Sequence, residues 1–98
     1  MKEMTAQDLL EKLNAGEKLS LIDVREADEV AEGMIPGAKH IALGEIPNHL
    51  DSLDKNESHI LICRSGGRSG NACLFLEDQG YDVTNMVGGM LDWTGDVQ

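Results

Sequence analysis

HILICRSGGRS, at residues 59–69, is the stretch that decides the fold of this chain. Three of its first four residues, Ile60, Leu61 and Ile62, form a short apolar run rich in β-branched side chains, which is typical of a buried strand covered on both faces. Gly66 and Gly67 then require a tight turn, and the residues after that turn are typical of a helix. The sequence therefore predicts a strand, a loop that begins at Cys63, and a helix, in that order.

The loop between this strand and this helix is predicted to bind an anion. The backbone N–H groups of residues 64 to 69 are expected to converge at a helix N-terminus, where unpaired donors and the helix dipole favour negative charge. Arg64 and Arg68 add positive charge. A cysteine in such surroundings has a lowered pKa, and the thiolate is the form that attacks electrophilic sulfur. Cys63 is therefore the candidate nucleophile.

Length, composition and charge restrict the class of protein. The 98 residues, 41% of them hydrophobic, fit one small domain with a single core, predicted to cover residues 1–98. A net charge of -10 with only eight Lys and Arg residues argues against binding to nucleic acid. Residues 1–5 lack an apolar signal region and no stretch is long enough to span a bilayer, which favours a cytoplasmic location with reduced cysteines.

Predicted strands and helices alternate along the chain. The strands are expected at residues 19–24, 39–42, 59–62 and 83–87. The helices are expected from a Thr5 cap to about residue 14, at residues 26–31, 46–53 and 68–78, and as a last turn after Gly88 and Gly89. This alternation predicts an α/β fold, a small parallel sheet flanked by helices on both faces. Such sheets bind ligands beyond the carboxyl ends of their strands, where Cys63 is expected to lie.

Four segments together resemble the rhodanese family of sulfurtransferases. The segment from Cys63 to Ser69 resembles the family's active-site loop, and DVRE at residues 23–26 resembles its first signature. GMIPGA at residues 33–38 resembles its G-H-I-P-G-A segment, and VGGMLDW at residues 87–93 resembles its G-G-x-x-x-W. Each match alone is weak, but their combination in the family's order is specific. The resemblance implies a rhodanese-like fold for nearly the whole chain.

The resemblance also implies a two-step, ping-pong sulfur transfer that needs no cofactor. In it, the Cys63 thiolate takes the outer sulfur of a small donor, such as thiosulfate or a persulfide, and becomes a cysteine persulfide. A thiol or cyanide then removes that sulfur. Thioredoxin and a sulfur-carrier protein are candidate acceptors, and neither a nucleic acid nor a membrane is expected as a partner.

The loop after Cys63 is predicted to bind the substrate. A ring of backbone N–H groups would stabilise the negative charge on a terminal persulfide sulfur without a metal, and the two glycines would let the backbone approach it closely. The predicted binding residues are Arg64, Ser65, Gly66, Gly67, Arg68 and Ser69.

The side chains of this loop have alternative roles at this stage. Arg64 either orients an anionic donor or is simply exposed to solvent. Arg68 either binds the anion or pairs with an acidic neighbour. Ser65 and Ser69 either hydrogen-bond to the sulfur or serve the local backbone structure.

Two other functions are alternatives to sulfur transfer. Cysteine phosphatases use a similar cradle with a Cys-x5-Arg signature, whereas Arg68 follows Cys63 after only four residues. The shorter ring fits a single sulfur better than a phosphate. A non-catalytic rhodanese-like module, with a binding or regulatory role, is the second alternative. Inactive members of the family usually lack the loop cysteine, which is present here.

Residues outside the loop are expected to be structural. Cys73 is predicted to be a small buried residue on the sheet-facing side of its helix, too far from Cys63 for an unstrained disulfide. Asp23 and Arg25 are expected to brace the loops around the site. The three histidines and the cysteines lack metal-ligand spacing, so no metal site is expected. Met34 replaces a frequent histidine of the family, a change expected to affect packing more than chemistry.

Overall fold

The protein, described over residues 1–98 by a computed structural model, is built on a five-stranded parallel sheet. The strands are β1 (Lys2–Thr5), β2 (Ser20–Asp23), β3 (Lys39–His40), β4 (Ser58–Ile62) and β5 (Asp82–Val87). Their order in the sheet is β1-β5-β4-β2-β3, and every neighbouring pair is parallel. The strand that leads to Cys63, β4, is therefore the central strand of the sheet. Its carboxyl end lies in the middle of the edge at which parallel sheets bind ligands.

Helices cover both faces of the sheet, as predicted. The α-helices are α1 (Ala6–Asn14), α2 (Ala27–Ala31) and α3 (Gly67–Asp78), and 3₁₀ helices cover Leu43–Ser52 and Gly89–Asp92. Side chains alternate along β4, so that Leu61 packs with Leu76 of α3 on one face. On the other face, Ile60 and Ile62 pack with Leu9 of α1. The α/β fold predicted from the sequence is confirmed.

The helices are short, and the first has the predicted cap. The Thr5 side chain accepts a hydrogen bond from the Asp8 backbone N–H at 3.0 Å, and the Asp8 carboxylate accepts one from the Thr5 N–H at 3.4 Å. This reciprocal pair satisfies two of the N–H groups that a helix start leaves unpaired. No helix has both the length and the apolar character that crossing a membrane requires.

Three elements differ from the predictions. The strand β1 was not predicted, because three of its four side chains are exposed and no apolar alternation marks it; it pairs only with β5 at the sheet edge. The helix predicted at residues 46–53 is a 3₁₀ helix at Leu43–Ser52 with Pro47 in its interior. Proline has no backbone N–H and its ring clashes with the preceding turn, so Pro47 disfavours a regular α-helix over this segment. The strand predicted at residues 39–42 is only two residues long.

Candidate active site

Cys63 follows β4 directly and is almost completely buried, with 1% of its surface exposed. The Gly66 backbone N–H donates a hydrogen bond to Sγ at 3.0 Å, and the Ser69 hydroxyl oxygen lies 3.2 Å from the same sulfur. Gly66 is the N-cap of α3, so the sulfur lies at the start of that helix. The structure thus brings the predicted nucleophile together with Gly66 and Ser69 of the predicted cradle.

The thiol of Cys63 is surrounded by hydrogen-bond donors. Burial raises the pKa of Cys63, because a charged sulfur is poorly solvated there. The Ser69 hydroxyl and the backbone N–H groups of Ser69, Gly66 and Ser65 outweigh this effect, and the pKa lies below that of a free thiol. The cradle is therefore made largely of backbone, and the exposed Ser65 contributes its N–H.

The two loop glycines have different structural roles. Gly66 adopts φ = +106°, and a Cβ atom there would lie 3.3 Å from the Gly88 backbone nitrogen. A side chain at this position would therefore be strained and would also crowd the next loop. Gly67 is the first residue of α3, and a Cβ atom there would meet nothing within 4 Å. Close approach of the backbone thus requires glycine at residue 66 but not at residue 67.

Arg68 makes a two-pronged ion pair with Glu29 of α2. Its Nη1 and Nη2 atoms donate hydrogen bonds to Oε1 and Oε2 at 2.7 and 2.8 Å. Chiefly through these hydrogen bonds, Arg68 lowers the pKa of Glu29 to about 2. Of the two roles left open by the sequence, pairing with an acidic neighbour is the arrangement in the structure. The pair joins the start of α3 to α2.

Arg64 is exposed and forms no ion pair within the protein. It borders a cavity of about 290 Å³ beside the cysteine loop. The cavity is lined by Arg25, Glu29, Glu32, Arg64, Met90 and Leu91. Arg25 is paired with Asp23, and Glu29 is paired with Arg68. Arg64 is therefore the cation at this opening that has no carboxylate partner.

Asp23 and Arg25 form a buried brace beside this opening, in agreement with the expectation from the sequence. Arg25 Nη2 donates to Asp23 Oδ2 at 2.9 Å and to the Gly33 carbonyl at 2.8 Å. Asp23 is wholly buried and Arg25 is 7% exposed. The pair therefore ties the end of β2 to the turn after α2.

The second glycine pair, Gly88 and Gly89, begins the 3₁₀ helix at Gly89–Asp92, which packs against the cysteine loop. The backbone N–H groups of Met90 and Leu91 donate to the carbonyl oxygens of Cys63 and Arg64 at 2.9 and 3.0 Å. Gly89 adopts φ = +57°, and a Cβ atom there would lie 2.4 Å from the Arg64 carbonyl oxygen. The G-G-x-x-x-W segment therefore has a physical role, because only glycine allows this contact.

Asn85 and Glu29 contact the loop but were not singled out in the sequence. Asn85 lies on β5 and is 5% exposed. Its Oδ1 is 2.5 Å from the Ser69 hydroxyl oxygen, and its Nδ2 donates to the Gly66 carbonyl at 3.1 Å. Asn85 could have been singled out from the sequence, because it is a polar residue inside a predicted buried strand and a buried amide needs hydrogen-bond partners.

The other sulfur and imidazole groups lie elsewhere. Cys73 is wholly buried in the core between α3 and the sheet, and burial raises its pKa to about 12. Both cysteines are free thiols. His59, His40 and His49 bind separate backbone carbonyls, those of Asp54, Arg25 and Glu45. The prediction of a buried Cys73 is confirmed.

The comparisons with known proteins agree with this fold and loop. Residues 5–96 match the model of the rhodanese-like domain. The chain is 50% identical over 98 residues to YtwF of Bacillus subtilis, a candidate sulfurtransferase, covering 100% of this chain and 95% of that protein. It is 36% identical over 94 residues to a sulfurtransferase of Allochromatium vinosum, covering 95% and 88%.

Among solved structures, the crystal structure of a rhodanese-like domain protein from Staphylococcus aureus matches with a TM-score of 0.95 and 37% identity. The match covers 100% of this chain and 97% of that one. Family model, relatives and fold agree over almost all residues of the chain. The protein therefore belongs to the rhodanese-like domain family.

Proposed function

We propose that the protein is a sulfurtransferase in which Cys63 carries the transferred sulfur as a persulfide. The observation that carries this proposal is the set of donors around Sγ, with the Gly66 N–H at 3.0 Å and the Ser69 hydroxyl at 3.2 Å. These donors favour the thiolate, which is the nucleophile. The similarity to proteins named as sulfurtransferases supports the same reaction.

In the first step, the Cys63 thiolate attacks the outer sulfur of a donor such as thiosulfate. A bond forms between Sγ and that sulfur, and the bond between the two sulfur atoms of thiosulfate breaks. Sulfite leaves with the bonding electron pair, and the protein is left with an anionic persulfide. The backbone N–H groups of residues 64 to 69 are the groups we assign to stabilising the terminal sulfur.

In the second step, a thiolate or cyanide attacks the terminal sulfur. The sulfur–sulfur bond of the persulfide breaks, Cys63 leaves as a thiolate, and the acceptor becomes a persulfide or thiocyanate. The same donors assist this step, because a thiol with a lowered pKa is a better leaving group. The two steps balance without a cofactor. The physiological acceptor in this proposal is a thiol on a partner such as thioredoxin or a sulfur-carrier protein.

We assign different tasks to the two loop arginines. Arg64 is free, exposed and at the mouth of the cavity, so it is suited to orienting an anionic donor. Arg68 directs both terminal nitrogens at Glu29, so its main task is to hold the start of α3 against α2.

The proposal is tested by mass spectrometry of the intact protein after treatment with thiosulfate, with and without cyanide. We expect a gain of one sulfur mass that cyanide removes. The Cys63→Ser variant should gain nothing, and the Cys73→Ala variant is the matched control that should gain the sulfur. An adduct on Cys63→Ser would overturn the assignment of the carrier. A folded wild-type protein without an adduct would overturn thiosulfate as the donor.

A further inference from the structure

The Ser69 hydroxyl has two acceptors within reach but only one proton to donate. Its oxygen lies 2.5 Å from Asn85 Oδ1 and 3.2 Å from Cys63 Sγ. Ser69 is wholly buried and Asn85 nearly so. The amide oxygen of Asn85 and the sulfur of Cys63 therefore compete for the same proton.

The orientation of the Asn85 side chain is fixed by a second contact. Its Nδ2 donates to the Gly66 carbonyl oxygen at 3.1 Å. A carbonyl oxygen only accepts hydrogen bonds, so a flipped amide would place two acceptors against each other. Oδ1 is therefore the atom that faces Ser69, and the competition is a fixed property of the site.

The preferred position of this proton depends on the state of the sulfur. When Cys63 is a neutral thiol, Ser69 donates to Asn85 and its oxygen can accept from the thiol. When Cys63 is a thiolate, the hydroxyl proton is drawn to the sulfur by a charge-assisted bond. The Ser69 and Asn85 oxygens then face each other at 2.5 Å with no proton between them. This repulsion opposes the thiolate.

We propose that Asn85 is a positioning residue that holds the Ser69 proton away from Cys63 and so limits the stabilisation that the loop gives to the thiolate. Its role in turnover rests on the proposed function. Once Sγ carries a second sulfur, the negative charge moves to the terminal atom, and the Ser69 proton returns to Asn85. Asn85 thereby favours the loaded cysteine over the empty thiolate.

The test is a double-mutant cycle read on the sulfur itself. The apparent pKa of Cys63 is measured from the pH dependence of iodoacetamide alkylation, resolved by peptide mass spectrometry so that Cys73 does not contribute. We expect Asn85→Ala to lower the pKa by roughly half a unit to one unit, and Ser69→Ala to raise it by about one unit. In the Ser69→Ala background, Asn85→Ala should produce no shift.

The truncation at Asn85 should leave the loop intact. The Gly66 carbonyl keeps its hydrogen bond from the Gly70 N–H at 3.0 Å, and Ser69 keeps Cys63 as a partner. Asn85→Leu, which keeps the branching at Cγ and has no acceptor, is the second variant and should also lower the pKa. Thermal unfolding of each variant checks the fold.

The proposal would be overturned if Asn85→Ala shifted the pKa of Cys63 equally in the wild-type protein and in the Ser69→Ala variant. It would also be overturned if Asn85→Ala raised this pKa, or left it unchanged, in the wild-type protein. These measurements use no sulfur donor. A protein that fails to form a persulfide but shows the expected cycle would contradict the proposed function alone. A protein that forms the persulfide without the expected cycle would contradict only the role of Asn85.

Discussion

The two cysteines differ in reactivity although both are buried. Cys63 is 1% exposed and Cys73 is not exposed at all. Yet the pKa of Cys63 is lowered by hydrogen bonds from Ser69 and the loop despite its burial, whereas burial raises the pKa of Cys73 to about 12. Exposure therefore does not separate the reactive sulfur from the inert one. The difference lies in the available donors. The Ser69 hydroxyl and the unpaired N–H groups at the start of α3 surround the sulfur of Cys63, whereas N–H groups inside a helix are committed to helix carbonyls.

Replacing each cysteine in turn is the strongest test of this difference between Cys63 and Cys73. Cys63→Ser should reduce thiocyanate formation from thiosulfate and cyanide to the rate without protein, because the carrier is lost. Cys73→Ala should keep nearly the full rate and lose about 1 kcal/mol of stability through the small cavity it leaves. Comparable loss of activity in the two variants would show that the contrast between the two environments is not functional.

The pH dependence of alkylation should separate the two thiols next. A lowered pKa means that the Cys63 thiolate persists at pH values where a free thiol is protonated, and it is lost only as the pH falls through the lowered value. Reactivity of Cys63 should therefore show a midpoint below about 8.5. Cys73 should stay unmodified in the folded protein and react only in denaturant. A midpoint for Cys63 at or above that of a free thiol would contradict the role of the loop donors.

A pair of glycine variants tests whether the backbone geometry makes the difference. Gly66→Ala should cost about 1–3 kcal/mol of stability, because φ = +106° is strained for alanine and the Gly88 nitrogen lies 3.3 Å from the new Cβ. It should also raise the pKa of Cys63 by displacing the Gly66 N–H. Gly67→Ala is the matched control, with open space around it and a helical position that favours alanine. Chemical denaturation and alkylation measure both effects, and equal losses in the two variants would reject this explanation.

The smallest expected effect concerns charge. Arg68→Gln should cost only about 0.5–1 kcal/mol, since the ion pair with Glu29 is partly exposed. Because the pKa of Glu29 is lowered from 4.5 to about 2, this contribution is complete above pH 4.5 and is lost as the pH falls through about 2. Denaturation of wild type and variant at pH 7 and at acidic pH measures the difference. A stability difference between wild type and variant that grows on acidification would contradict this prediction.

Local sequence patterns predicted most of the sheet and the cysteine loop. The strand, turn and helix around Cys63 are adjacent in the chain, so their residue types report directly on the structure. The edge strand β1 was missed, because its exposed side chains carry no apolar pattern and only pairing with β5 defines it. The extent of the 3₁₀ helix at Leu43–Ser52 was missed for a related reason, since its 3₁₀ geometry lacks the regular α-helical period.

The partners of the loop side chains were beyond the reach of local patterns. Glu29 is 39 residues from Arg68, and Asn85 is 16 residues from Ser69. Asn85 contacts the loop because β5 lies beside β4, with Asn85 opposite Leu61 in the sheet. A single sequence does not report such a register, so it indicated the cysteine loop but not Glu29 and Asn85, which hold two of its side chains.

The hydrogen bond from the Leu91 N–H to the Arg64 carbonyl makes the acidity of the thiol depend on the 3₁₀ helix at Gly89–Asp92. In a trans peptide the C=O and N–H bonds point in opposite directions. Anchoring the Arg64 carbonyl on Leu91 therefore turns the Ser65 N–H the other way, toward the sulfur whose pKa it lowers. By holding this peptide in place, the 3₁₀ helix at Gly89–Asp92 helps to set the acidity of a sulfur to which it donates no hydrogen bond of its own.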